Sequence, residues 1–63
     1  MRAAQTHDDM ARRHEEAALH WDEYGEPERA EFERRNVEIE RAAAQFERDR
    51  ADFKRRKRAA STA

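Results

Sequence analysis

Four consecutive seven-residue units fill the second half of the chain: Arg29-Ala-Glu-Phe-Glu-Arg-Arg35, Asn36-Val-Glu-Ile-Glu-Arg-Ala42, Ala43-Ala-Gln-Phe-Glu-Arg-Asp49 and Arg50-Ala-Asp-Phe-Lys-Arg-Arg56. A large apolar residue recurs without drift at Phe32, Ile39, Phe46 and Phe53. A strict period of seven describes a helix whose apolar seam stays turned toward one partner through left-handed supercoiling. The repeat therefore predicts coiled-coil pairing before any other property is considered.

The punctuation supplies a hairpin. Gly25-Glu26-Pro27 holds the only Gly and the only Pro of the 63 residues. Gly suits the left-handed end of a helix, and Pro suits the first turn of the next one. The expected elements are helix 1 over about 3–24, a turn at 25–27, helix 2 over about 27–58 and a fraying tail at 59–63. A connection this short makes neighbouring helices antiparallel.

Helix 1 has a seam of its own at four-three spacing, comprising Ala3, His7, Met10, His14, Ala17, Trp21 and Tyr24, with Ala4, Ala11 and Ala18 alongside. Set against the Phe/Ile row of helix 2, it gives a small-against-large packing. Charge favours the pairing. Residues 1–28 carry three basic and eight acidic groups, whereas residues 29–63 carry eleven basic and seven acidic ones. The row Glu31, Arg34, Glu38, Arg41, Gln45, Arg48, Asp52 and Arg55 reads as a solvated ladder on the outer face of helix 2.

A lone hairpin leaves apolar surface over. Ala30, Val37, Ala44 and Ala51 form a second row, roughly 140–160° around helix 2 from the Phe/Ile row at about 100° per residue. One neighbouring helix covers only one of these rows. Phe53 also projects past the end of helix 1, and Leu19 falls on its outer side. A chain this short rarely buries enough surface alone without staples or oligomerisation, and it has no cysteine for disulfides or thiolate metal sites. The reading is an all-α, antiparallel two-helix hairpin with coiled-coil heptads that dimerises into a four-helix bundle. Its expected interface is Met10, Trp21, Tyr24, Phe32, Val37, Ile39, Ala44, Phe46 and Phe53.

Chemistry-bearing patterns are few. His7 and His14 lie two turns apart, beyond the reach of one metal ion. Glu16 and His20 have helical i, i+4 spacing, but no Glu-x-x-His motif recurs on helix 2 as a carboxylate-bridged site requires. Ser61 and Thr62 lie in the tail without a histidine beside them, and no Gly-rich loop cradles phosphate. No enzyme activity, cofactor, metal or small-molecule substrate is expected. No segment approaches a membrane span or a secretory leader, so the expectation is a cytoplasmic protein.

The basic run Lys54, Arg55, Arg56, Lys57 and Arg58 is a candidate for non-specific nucleic-acid binding. Residues 29–53 net one negative charge, so this patch is local and unlike a groove-length footprint. The leading functional reading is a non-enzymatic interaction or assembly protein, a homodimer or a partner for another helical protein. The alternatives are an accessory nucleic-acid-binding protein, and an inhibitor-like or antitoxin-like helix pair that folds on its target.

The stretch His14-Glu-Glu-Ala-Ala-Leu-His-Trp21, followed by Gly25 and the Glu- and Arg-rich heptads, resembles short uncharacterised helical proteins of actinobacteria. The resemblance covers about residues 10–50. It implies a bacterial source and no particular mechanism.

Overall fold

The chain's glycine and proline build its turn. A computed structural model describes residues 2–62 and contains two helices, α1 (Arg2–Glu23) and α2 (Pro27–Thr62). Gly25 sits at φ 71°, in the left-handed region. Its amide donates to the Asp22 carbonyl at 3.1 Å, and the Glu26 amide donates to the Trp21 carbonyl at 2.8 Å. These two bonds form a Schellman motif and satisfy carbonyls that the end of α1 would otherwise leave open. The Glu26 carbonyl then accepts the first bond of α2 from the Ala30 amide at 3.0 Å, with Pro27 directly after it. Glu28 stands in the first turn of α2, where negative charge complements the helix dipole. α2 runs on through Thr62, past residue 58 where the sequence placed its end, and Ala63 lies outside the described residues.

The two helices pack antiparallel, and the faces they use correct the expected seam. The buried residues are Ala4, Ala11 and Ala18 of α1 and Ala30, Val37 and Ala44 of α2. Phe32, Ile39, Phe46 and Phe53 instead remain about 60% exposed, at 64, 63, 63 and 59%. The row expected to pack on α1 therefore faces away from it, and the alanine row expected to be left over is the one buried within the hairpin. Of the expected α1 seam, His7, Met10, His14, Ala17 and Trp21 are half-buried, while Ala3 and Tyr24 are exposed.

Charge placement matches this choice of faces. Along one edge of the alanine contact, the His7 Nδ1–H donates to Glu40 at 2.6 Å and the His14 Nδ1–H donates to Glu33 at 2.5 Å. Along the other edge, Arg34 pairs with Asp22, Arg41 with Glu15 and Arg48 with Asp8. All these partners advance by seven in one helix while retreating by seven in the other. Turning the Phe/Ile row inward would move both sets out of reach. Alanine rows also let the backbones approach closely enough for side chains on both flanks to meet. Arg34, Arg41 and Arg48 thus border the helix–helix contact, a correction to the solvated outer ladder read from the sequence. Among the described residues no buried side-chain polar atom lacks a partner.

The helices are unequal, with 22 residues in α1 and 36 in α2. The pairs His7–Glu40 and Asp8–Arg48 bracket the start of α1 between the levels of about residues 45 and 54 of α2, which passes from half-buried Ala51 to continuous exposure. The C-terminal part of α2 therefore projects as an overhang carrying Phe53 and the basic run. No helix among the described residues is long and apolar enough to cross a membrane.

Candidate functional site

The seven-residue period places Phe32, Ile39, Phe46 and Phe53 on one line, roughly 160° around α2 from the buried alanine row. The stripe spans 21 residues, or about 32 Å at 1.5 Å per residue. It lies on the far side of α2 from α1, so nothing within the hairpin shields it. Two rows of the same period flank the stripe. One holds Glu28, Arg35, Ala42, Asp49 and Arg56, and the other holds Arg29, Asn36, Ala43, Arg50 and Lys57. Both rows reach alanine midway, at Ala42 and Ala43, so the centre is the least crowded part of the face.

The two ends of the stripe differ. Around Phe32 the surface is concave. A depression of about 370 Å³ is lined by Pro27, Glu28, Glu31, Phe32 and Arg35. A second, of about 320 Å³, is lined by Trp21, Glu28, Arg29, Phe32 and Glu33. The Arg29 guanidinium lies 4.6 Å from the Trp21 ring centre, a cation–π contact that holds it beside the turn. At the other end Phe53 stands on the overhang beside Lys54 and Lys57. Residues 20–35 carry six acidic and three basic groups, whereas residues 50–58 carry six basic and one acidic.

The interface residues named from sequence fall into two groups. Val37 and Ala44 are buried inside the hairpin, with Met10 and Trp21 half-buried beside it. Tyr24, Phe32, Ile39, Phe46 and Phe53 face outward. The flanking pairs His7–Glu40, His14–Glu33 and the three arginine–carboxylate bridges were missed, although their signal was present. Asp8, Glu15 and Asp22 recur every seven residues on α1, as do Arg34, Arg41 and Arg48 on α2.

Lys54, Arg55, Arg56, Lys57 and Arg58 are all exposed and helical. Five successive residues sweep more than a full turn, so the charges ring the helix and form no single face. Arg55 bridges to Asp52 one turn back. The histidines all take part in structural contacts. His7 and His14 meet α2 glutamates, and the His20 ring lies 5.1 Å from Trp21 and 4.6 Å from Tyr24. Among the described residues, no three His, Asp or Glu side chains converge as a metal ion would need. No protein-family model, curated protein or solved structure matches the chain.

Proposed function

We propose that this is a non-enzymatic helix-pairing protein that presents the Phe32, Ile39, Phe46 and Phe53 stripe to another helix. One observation carries this reading: the largest aliphatic and aromatic side chains of α2 recur every seven residues in one exposed row opposite α1. Large exposed apolar side chains gathered on one face mark interaction sites on small proteins. Completing the burial of each side chain contributes about 1–2 kcal/mol. Four from each of two helices are comparable to the roughly 4–15 kcal/mol that association costs. The pairing is therefore of moderate affinity, set by how well the flanking charges match.

The test is the native mass of the protein in extract of cells that produce it, wild type against I39K/F46K. The stripe reading requires wild type to migrate above its 7.5 kDa chain mass and the variant to fall back to it. Equal masses for the two would remove the reading. Both altered positions are exposed, so helicity by circular dichroism stays unchanged.

A second reading rests on the exposed basic overhang, which would engage nucleic-acid phosphates without sequence preference. Such binding weakens steeply with salt. Fluorescence anisotropy with a short duplex at low ionic strength checks it, and absence of binding there eliminates it.

A further inference from the structure

Resting on the stripe reading, we infer that the helix the stripe accepts is α2 of a second copy, antiparallel and centred on Ala42. The argument comes from the row that flanks the stripe. Its charges read Glu28 minus, Arg35 plus, Ala42 neutral, Asp49 minus and Arg56 plus. This order complements itself only when reversed. In an antiparallel pair with its two-fold axis at Ala42, Glu28 meets Arg56 of the second copy and Arg35 meets Asp49. Each contact is repeated by symmetry, and the two Ala42 methyl groups meet at the centre. In a parallel pair the row would meet the other flank of the second copy, the two acidic turn ends would abut each other and so would the two basic ends, and like charges so placed are repulsive.

The apolar side chains fit the same arrangement. Reversal about Ala42 sets Ile39 beside Phe46 of the second copy and Phe53 beside Phe32. The concave surface around Phe32, floored by Pro27 and rimmed by Glu28 and Glu31, then receives the aromatic ring of the overhang and its neighbouring cations. The acidic turn end of one copy lies against the basic end of the other. On the opposite flank Arg50 faces Asn36, and Ala43 lies across from Ala43. Only Arg29 and Lys57 oppose like charges there, and Arg29 is already drawn onto Trp21.

The position of the stripe also dictates the shape of the pair. Because it lies opposite α1, the second hairpin adds on the far side of α2. The four helices form a flat row, α1–α2–α2–α1, in place of the compact four-helix bundle expected from the sequence.

The experiment uses the purified full chain. Sedimentation equilibrium gives the mass, and double electron–electron resonance on R58C, spin-labelled at a position turned away from the stripe, gives the orientation. A two-chain mass with a label separation of about 48 Å, from 32 residues of helix at 1.5 Å each, is the expected result. A dimer with labels at about 10–20 Å, the spacing of adjacent helices, overturns the antiparallel order. A monomer at all concentrations overturns the second copy as occupant and leaves the extract-based test of the stripe standing.

Charge reversal supplies an independent check of register. R35E weakens dimerisation about tenfold, and R35E/D49R on the same chain recovers it, because both contacts are restored with reversed sign. Failure of the double variant to recover places the two-fold axis elsewhere and overturns the Ala42 register.

Discussion

Alanine at positions 4, 11, 18, 30 and 44 determines how near the two backbones come, because each is almost fully enclosed. A larger side chain there must push the helices apart or distort them. A11L is expected to destabilise the hairpin by about 1–3 kcal/mol, read from urea unfolding. The same substitution at exposed Ala3 leaves stability within about 0.5 kcal/mol. Gly25 is the other position where one atom decides the outcome. Its surroundings are open, so a methyl group meets nothing within 4 Å, but its φ of 71° disfavours any L side chain. G25A should cost about 1–2 kcal/mol from the backbone alone, and G25N should cost less, since Asn tolerates the left-handed region. Denaturation midpoints of the two variants separate this backbone effect from crowding. At His14 the contact is to Glu33 across the helix pair, half-buried on both sides. H14A removes the hydrogen bond at an expected loss of about 0.5–1.5 kcal/mol, checked by thermal unfolding.

At the scale of the helix, α2 differs from an ordinary surface helix in having two apolar lines on nearly opposite faces. This explains what could be read from the sequence and what could not. The period of seven, the break at Gly25 and Pro27, and the presence of two apolar rows are all visible in the residue order. Which row turns toward α1 is not, if size alone is considered, because Phe and Ile outweigh Ala in any estimate of burial. The flanking side chains carry the matching signal. Glu33 and Glu40 meet histidines, and Arg34, Arg41 and Arg48 meet carboxylates, only when the alanine row faces inward. These correlations span the turn and appear when the two helices are aligned against each other residue by residue. At this scale I39K/F46K is expected to leave the hairpin's helicity intact, since neither side chain touches α1. V37K, at the buried row, should unfold it, and circular dichroism distinguishes the two.

As a whole molecule the hairpin has a thin core. Among the described residues the buried hydrophobic ones are five alanines and one valine, and no side chain as large as Leu is among them. A chain so small gains little from such a core, so pairing through the stripe adds a substantial share of its stability. The hairpin folds by itself and pairing stabilises it further, so the thermal midpoint should rise with protein concentration. Scans from about micromolar to about millimolar protein check this by calorimetry, and a constant midpoint would separate folding from pairing. The repeat has one more consequence, which concerns the lengths available to related chains. Both apolar lines of α2 and both sets of cross-helix bridges share the same period. Removing one residue from the middle of α2 rotates everything beyond it by about 100°, displacing the inner contact and the outer stripe together. Removing seven merely shortens the rod by about 10 Å and keeps every face aligned. A gene for such a protein can thus gain or lose length in whole repeats, while single-codon insertions and deletions in α2 would be purged.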